Sequence, residues 1–158
     1  MSGVQIVRSG GLEAEADRSF IERLGRRAAI SSVGSLRSVP EAFVIGAFDR
    51  LMEIVEVQSH VTLVAHSDGR RVGFLLMLDG LPDEVTALPQ AFVAYMAVEP
   101  DFRNRGVGRA LLQAAEAEAR GRGLPHMALM VTEENHAARR LYERSCFQTE
   151  RRLLCKPL

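Results

Sequence analysis

The chain has 158 residues, of which 47% are hydrophobic and 25% are charged, and its 20 basic side chains equal its 20 acidic ones in number. Non-specific affinity for nucleic acid comes mainly from an excess of lysine and arginine, so this balance argues against nucleic acid as a partner. The apolar content argues against a disordered chain. We expect a single folded domain over residues 1–158, because this length is typical of one domain.

The sequence shows no pattern for membrane insertion or export. Its longest apolar run, residues 91–98, is eight residues long, whereas a bilayer-spanning helix needs roughly 20. Residues 1–11 lack the basic and apolar regions of a signal peptide, so we expect a cytoplasmic protein with no membrane partner. The two cysteines, Cys146 and Cys155, are too few for a disulfide framework, and their spacing resembles no metal site. We expect both to be reduced packing residues, and we expect no bound metal.

The first half of the chain alternates between helical and extended patterns. Ser38, with Glu41 three residues later, has the form of a capping box before a helix. The Asp68-Gly69 pair between two β-branched runs favours a tight hairpin turn. In chain order, the predicted elements are a strand at residues 4–8 ended by Gly10 and Gly11, helices around residues 20–28 and 44–55, strands at 61–66 and 71–78, and a loop at 80–89. The second of these helices carries an acidic side, Asp49, Glu53 and Glu56, which could attract a cationic amine but is more often a solvated face.

The second half begins with residues 92–98, an uninterrupted apolar run that predicts a strand buried on both faces and central in its sheet. In chain order there follow a helix over residues 107–119, a strand at 127–131, a helix at 135–144 and a strand at 146–155. A hairpin followed by strand, helix, strand and helix predicts a fold of the α/β class in mixed α+β form, with helices covering a central mixed β-sheet.

The turn after the predicted central strand is rich in arginine and glycine. The first N–H groups of a helix lack internal partners and lie at the positive end of the helix dipole, so they form an anion site. Gly106 and Gly108 would let the backbone approach a phosphate without a Cβ in the way. The side chains of Arg103, Arg105 and Arg109 add charge and hydrogen-bond donors. A pyrophosphate fits this description.

Two other phosphate motifs do not fit this turn. A dinucleotide fingerprint would need a third glycine where Leu111 stands, and a P-loop would need Lys and then Ser or Thr where Arg109 and Ala110 stand. The turn alone is also compatible with the glycine-containing start of an alanine-rich helix whose arginines are simply solvated. On this segment by itself, both interpretations stay open.

A second motif follows about 25 residues later. The first motif reads Arg-x-x-Gly-x-Gly after a strand that ends in Val-x-Pro, and the second is Asn-His-Ala-Ala-Arg-Arg-Leu-Tyr at residues 135–142, with Phe147 beyond it. In this order and on these elements, the two motifs resemble the GCN5-related N-acetyltransferase (GNAT) superfamily. The resemblance covers residues 91–147 closely and implies a GNAT-like acyl-CoA N-acyltransferase fold, in which the parallel central strands splay apart.

The resemblance implies acetyl-CoA as the acetyl donor. In this family the turn matching residues 103–109 wraps the pyrophosphate of coenzyme A through backbone amides, and the strand matching residues 96–98 offers main-chain groups to the pantetheine arm and thioester. An N–H aimed at the thioester oxygen would stabilise the charge that develops during attack, by roughly 3 kcal/mol. The strand that carries this N–H must then part from the parallel strand beside it. A β-bulge near Met96 or Ala97 would achieve this. The implied cofactor-binding residues on these two segments are Met96, Ala97, Val98, Arg103, Asn104, Arg105, Gly106, Val107, Gly108 and Arg109.

The last predicted helix supplies the other side of the implied site. Asn135, Ala138 and Tyr142 are spaced i, i+3 and i+7, which places them on one helix face. In the family, the residue matching Tyr142 protonates the departing thiolate, the residue matching Asn135 contacts the pantetheine arm, and a small residue such as Ala138 leaves room for the cofactor. A free phenol has a pKa near ~10 and a thiol near ~8.5, so this transfer needs a site arranged around it. The alternative for Tyr142 is a packing aromatic.

The base that removes the amine proton is the least defined part of the site. In the ribosomal-protein alanine acetyltransferases the position matching Met130 carries a glutamate base, and this sequence departs from them there. Glu99, at the end of the central strand, is a candidate that would act through water, and the alternative is a solvated carboxylate. Tyr95 could belong to a chain of water molecules that carries this proton away, and the alternative is a tyrosine that only packs in the core.

We therefore expect an acetyl-CoA-dependent N-acetyltransferase that acts by direct attack of a primary amine, with Tyr142 as acid and Glu99 or water handling the amine proton. A small-molecule amine or a peptide N-terminus is favoured over a basic protein tail, because zero net charge supplies no steering field. One alternative is a non-catalytic acyl-CoA-binding sensor or regulatory module of the same fold, and another is a structural interaction protein. A homodimer that pairs the C-terminal strands would cover an open sheet edge.

Overall fold

The computed structural model describes residues 3–10 and 14–158, which form a five-stranded sheet with helices on both faces. The strands are β1 (Gln5–Arg8), β2 (His60–Ser67), β3 (Arg70–Leu78), β4 (Ala91–Val98) and β5 (Met127–Leu129). The helices are α1 (Ala14–Ser31), α2 (Glu41–Val57), α3 (Val107–Gly121) and α4 (His136–Arg144), with a short 3₁₀ helix at Pro100–Phe102. The strand order is β1-β2-β3-β4-β5, antiparallel except between β4 and β5, which confirms the predicted mixed sheet.

Two apolar cores lie on opposite faces of this sheet. The core under α1 and α2 includes Leu24 and Phe48, and the core under α3 includes Leu111. β3 lies between the two cores, and residues 72–78 of that strand are all buried. The prediction that residues 92–98 are buried on both faces is only partly correct, since Val93 and Ala97 are buried and the other five residues are half-buried. β4 is an interior strand and not an edge, as predicted, but β3 is the middle strand and β5 covers only the first three residues of β4.

The parallel strands β4 and β5 part after a short ladder. Their paired residues end at Val93 and Leu129, whereas β4 continues for five more residues to Val98. β5 itself ends at Leu129, two residues before the predicted end at Val131. The predicted parting of these strands is therefore confirmed. It leaves one edge of residues 94–98 without a neighbouring strand in the described part of the chain.

A β-bulge lies where β4 leaves β5. Leu76 pairs with Tyr95 and Met77 pairs with Val93, so Ala94 has no residue opposite it on β3. Side chains alternate between faces along a regular strand, and the extra residue instead places Ala94 and Tyr95 together on the face of α1 and α2. The bulge predicted near Met96 or Ala97 is therefore present in β4, but it lies two residues before Met96. The register shifts nearer the end of the β5 ladder, where β4 loses its second neighbour.

The C-terminal residues do not form the predicted strand. After α4, Cys146 has a φ of +64°, and residues 147–158 form neither helix nor strand. The side chains of Leu153 and Leu154 are 87% and 88% exposed, so this segment does not pack these leucines against the sheet. Both cysteines are free as expected, but they are exposed, so the expectation that they pack is wrong.

Two further local predictions can be compared with the structure. The prediction of a capping box formed by Ser38 and Glu41 is wrong. Pro40 is the N-cap of α2, and no side chain caps this end of the helix. β1 ends at Arg8, close to the predicted stop, but Gly11 lies outside the described residues. In the described ranges, every helix is too short or too polar to cross a membrane.

Candidate active site

The turn between β4 and α3 presents a row of free main-chain donors. Asn104 and Gly106 adopt left-handed conformations, with φ values of +58° and +82°, and α3 begins at the next residue. The first hydrogen bond of the helix runs from Ala110 N–H to the Gly106 carbonyl at 2.9 Å. Within the described chain, the six N–H groups of residues 104–109 therefore have no backbone acceptor. This is the arrangement that binds an anion at a helix N-terminus.

The three arginines of the turn have different surroundings. Arg103 donates from Nε to the Val98 carbonyl at 3.2 Å, which ties the turn to the end of β4. Arg105 lies over the ring of Phe102, 5.5 Å from its centroid. Arg109 is exposed and makes no hydrogen bond or ion pair with a described residue. The guanidinium groups of Arg105 and Arg109 therefore add positive charge beside the free N–H groups.

Gly108 has a packing function in addition to the predicted one. A Cβ on this glycine would lie 2.9 Å from Leu141 Cδ2 and 3.9 Å from Met96 Cε. α3, α4 and β4 therefore meet at this position. Gly106, by contrast, has open space where a Cβ would stand, and its positive φ is what favours glycine there. The two glycines of the motif thus serve different purposes.

α4 places its predicted residues on the same side as the parted strands. Asn135 is the N-cap, and its Oδ1 accepts a hydrogen bond from Ala138 N–H at 3.2 Å. The Asn135 side chain therefore caps the helix, and its amide NH₂ remains available to a ligand. Tyr142, two turns later, packs against the α3 core with its ring edge-on to Phe147, 5.8 Å between centroids.

Two tyrosines approach each other from opposite faces of the sheet. Burial raises the pKa of Tyr142, and the phenol of Tyr95 raises it further. Burial also raises the pKa of Tyr95, and the Ser32 hydroxyl opposes part of that rise without making a well-formed hydrogen bond to it. Both phenols therefore stay protonated at neutral pH. Tyr95 reaches this position because of the bulge at Ala94.

Glu99 is held by two arginines of α1. Arg23 Nη2 lies 2.7 Å from Oε1 and Arg27 Nη2 lies 3.1 Å from Oε2, and the Glu99 side chain is only 18% exposed. Each carboxylate oxygen thus has a guanidinium partner on α1. The sequence analysis missed these two arginines, because they lie more than 70 residues from Glu99 along the chain.

A connection between two loops was also missed. Ser35 donates from its N–H and its hydroxyl to Glu134 Oε1, at 2.9 and 2.8 Å. Thr132 donates from Oγ1 to the Ser32 carbonyl at 2.9 Å. These hydrogen bonds join the loop after α1 to the loop after β5, which is the strand that parts from β4. No local pattern signals them, since about 100 residues separate the partners.

The acidic side of α2 is largely neutralised by α1. Arg26 Nε lies 2.8 Å from Asp49 Oδ1, and Arg18 Nη1 lies 2.6 Å from Glu56 Oε1. Paired carboxylates of this kind have little attraction left for a cationic acceptor. The interpretation of this stripe as a solvated, charge-balanced helix face is therefore the better one.

A sequence model of the acetyltransferase (GNAT) family matches residues 35–146, more than half of the chain. The chain belongs to this family. An acetyltransferase of Pectobacterium atrosepticum is 42% identical over 55 residues, which cover 35% of this chain and 39% of that protein. The matched segment thus spans less than half the length of this curated relative.

Solved GNAT structures share the whole fold of the chain at low sequence identity. An acetyl transferase from Pyrococcus furiosus superposes with a TM-score of 0.82 at 23% identity, covering 99% of this chain and 100% of that one. The aminoglycoside N-acetyltransferase AAC(6')-Iy in complex with CoA has a TM-score of 0.71 at 17% identity, covering 100% and 96%. At these identities the similarity concerns the fold, which confirms the expected GNAT-like architecture.

The structure brings together most of the residues that the GNAT resemblance singles out. The turn at residues 103–109 and the parted end of β4 are continuous, and Gly108 faces Leu141 of α4, the residue directly before Tyr142. Met130, at the position where one GNAT subgroup carries a glutamate, is 79% exposed just after β5. Glu99 is the predicted site residue whose side chain is engaged elsewhere, on α1.

Proposed function

We propose that this protein transfers the acetyl group of acetyl-CoA to a primary amine. The observation that carries the proposal is the parting of β4 from β5 directly before a turn with six unpartnered N–H groups. Such a combination offers main-chain donors to a thioester arm and to a diphosphate within one continuous segment. The site residues assigned below are part of this proposal.

The turn at residues 103–109 would hold the diphosphate of the donor. Its free N–H groups lie at the positive end of the α3 dipole, and Arg105 and Arg109 supply mobile positive charge. The glycine at position 106 exposes the backbone to the ligand without a side chain. These features fit the group, and within the described chain no backbone acceptor competes for the N–H groups of residues 104–109.

Met96, Ala97 and Val98 would hold the pantetheine arm and the thioester. These residues pair with β3 on one edge only, so the main-chain groups on the other edge remain available, except the Val98 carbonyl, which accepts from Arg103 Nε. Acetyl-CoA supplies an activated acyl carbon. A strand N–H that donates to the acyl oxygen would stabilise its growing negative charge as the amine attacks, by roughly 3 kcal/mol.

Tyr142 would protonate the leaving sulfur. As the amine nitrogen forms a bond to the acyl carbon, the carbon–sulfur bond breaks and the phenolic proton passes from oxygen to sulfur. Burial raises the pKa of Tyr142, which keeps the donor protonated but makes complete transfer less favourable in isolation. The charge developing on sulfur in a dry site compensates for this, because it strengthens the hydrogen bond.

The amine must also lose a proton to water, and we assign Glu99 as the carboxylate that passes it on. Its two salt bridges occupy both carboxylate oxygens with guanidinium groups of α1. A relay through Glu99 therefore requires the exposed guanidinium of Arg23 or Arg27 to move away. Their side chains are 57% and 55% exposed, which permits this movement.

The proposed acceptor is a small-molecule amine or a peptide N-terminus. A polycationic acceptor would be favoured by a cleft of free carboxylates, but Asp49, Glu56 and Glu134 are already paired or hydrogen-bonded. The chain as a whole has no net charge to attract one. An acceptor with a single amine does not need electrostatic attraction from a negatively charged cleft.

Release of free thiol from acetyl-CoA across a panel of amines tests this function. The panel should contain amino acid esters, peptides with free N-termini, lysine peptides, polyamines and aminoglycosides, with an N-acetylated partner of each as the control. Amine-dependent thiol release with equimolar acetylated product supports the proposal. Calorimetric binding of acetyl-CoA without thiol release over the whole panel would instead support a sensor module, and the absence of binding would contradict both.

We also propose that two copies associate through the C-terminal residues. In the described chain β5 has a neighbouring strand on one edge only, and Leu153 and Leu154 are almost fully exposed. Each copy can add its C-terminal residues as a strand to the open β5 edge of the other copy. This symmetric exchange would cover both open edges. Light scattering should show a dimer for the full chain and a monomer for the variant with Leu153→Glu and Leu154→Glu. A monomeric full chain at about 100 μM would contradict the proposal.

A further inference from the structure

The hydroxyl of Tyr95 is buried without a hydrogen-bond partner in the described structure. Buried polar groups are nearly always paired, because an unpaired one loses its hydrogen bonds to water and gains nothing in exchange. An unpaired buried hydroxyl therefore calls for an explanation. One explanation is that this hydroxyl forms its hydrogen bond with a ligand.

The hydroxyl is held in place by its own ring and by the strand. The Tyr95 ring is edge-on to Phe48 at 5.1 Å and stacked on Phe74 at 6.2 Å. The bulge at Ala94 turns this side chain onto the face of α1 and α2, away from the α3 core. A phenylalanine would fill the same space equally well, so the packing does not explain the hydroxyl.

The polar neighbours of this hydroxyl have no hydrogen left to donate to it. The Ser32 hydroxyl donates to the Ala28 carbonyl at 2.8 Å, so its oxygen can only accept from the phenol, and the lone pairs of the Tyr95 oxygen still lack a donor. The other polar group near it is the phenol of Tyr142, which we assigned to the leaving sulfur. Tyr95 itself lies on the part of β4 that has separated from β5.

We propose that the Tyr95 hydroxyl binds the acceptor amine, accepting a hydrogen bond from its N–H and holding the nitrogen at the parted strands opposite Tyr142. This inference rests on the proposed acetyl transfer. A lone pair on nitrogen stays free for the attack, because the phenolic oxygen engages an N–H. Positioning of this kind raises the rate by fixing the reacting atoms close together.

The variant Tyr95→Phe separates this function from a structural one. It keeps the ring between Phe48 and Phe74 and removes only the unpaired hydroxyl. We therefore expect a melting temperature equal to or above that of the unmodified protein, together with a fall in kcat/KM for the best amine of the panel of about tenfold or more. The calorimetric Kd for acetyl-CoA should change by less than about twofold.

Hydrolysis of acetyl-CoA without an amine provides the matched readout. Water needs no hydrogen bond from Tyr95, so Tyr95→Phe should lower the amine-dependent thiol release more than the slow amine-independent release, whereas Tyr142→Phe should lower both. A kcat/KM for the amine within about twofold of the unmodified value would overturn the assignment. So would a parallel loss of stability and acetyl-CoA affinity, since that would identify a structural residue. Unmodified protein that shows no transfer to any amine would overturn the proposed function itself.

Discussion

The ring of Phe48 rests directly on Gly25, so that a Cβ built on this glycine would lie 2.0 Å from Phe48 Cζ. Gly25 stands in the middle of α1, where glycine costs about 1 kcal/mol relative to alanine. The glycine allows α1 and α2 to approach closely, and the same Phe48 ring contacts Tyr95 on β4. The position of Tyr95 thus depends on a contact between two helices.

Gly25→Ala should destabilise the protein despite the gain in helix propensity. The added methyl group has no space, and overpacking of this kind costs about 1–3 kcal/mol. Gly46→Ala is the matched control, because this glycine of α2 would place its Cβ 3.5 Å from the flexible end of Arg50. Urea denaturation should show a loss for Gly25→Ala and a gain of up to about 1 kcal/mol for Gly46→Ala. Equal effects of the two changes would contradict the close contact.

Gly106→Ala should weaken acetyl-CoA binding as well as stability. The residue has a φ of +82°, and alanine in the left-handed region costs about 1–2 kcal/mol. Gly123→Ala is the control, since Gly123 has a similar φ of +69° and lies beyond the C-terminal end of α3, whereas the anion site lies at its N-terminal end. Both variants should lose comparable stability, but only Gly106→Ala should raise the Kd measured by calorimetry. A raised Kd in both would point to general destabilisation.

Tyr142→Phe should slow turnover without weakening the binding of the donor. The ring contact with Phe147 is preserved, and only the proton donor is removed. General acids contribute about 100-fold or more to rates, so kcat should fall by that order while the Kd for acetyl-CoA stays constant. Steady-state kinetics combined with calorimetry measures both quantities. If kcat is unchanged, Tyr142 is a packing residue.

Glu99→Gln tests the proton relay against a purely structural salt bridge. The relay predicts a fall in kcat/KM on the order of 100-fold, whereas Arg23→Gln, which keeps the carboxylate and removes one guanidinium that occupies it, should leave kcat/KM unchanged or higher. The exposed ion pairs contribute less than about 1 kcal/mol to stability, so neither variant should unfold the protein. Equal losses in the two variants would show that the contact with α1 matters and the carboxylate does not act as a relay.

Stability should fall as the pH drops below about 4. The Thr86 hydroxyl and N–H, with Arg151, lower the pKa of Asp83, and the Ser35 N–H and hydroxyl lower the pKa of Glu134. Below the ordinary carboxyl pKa the unfolded chain binds protons that the folded protein resists, so folding weakens as the pH decreases. Urea denaturation between pH 3 and 6 should show this slope, and Asp83→Asn should reduce it. A slope unaffected by Asp83→Asn would place the effect on other carboxylates.

The sequence by itself determined the order of elements and the two motifs. Helical spacing and the arginine- and glycine-rich turn concern residues within a few positions of each other, so α3, α4 and the turn at residues 103–109 follow from local patterns. The parting of β4 from β5 was also expected, because the donor implied by the family resemblance needs free strand amides.

Only the tertiary structure decided how these elements meet. The bulge at Ala94 depends on the register between β3 and β4, and it moved Tyr95 to the opposite face of the sheet. The pairing of Glu99 with Arg23 joins groups 76 residues apart, and that of Ser35 with Glu134 joins groups 99 apart. The predicted C-terminal strand failed because a strand needs a partner edge and a buried face as well as a suitable sequence. Local patterns specify which elements form, whereas register and long-range contacts arise only when those elements pack together.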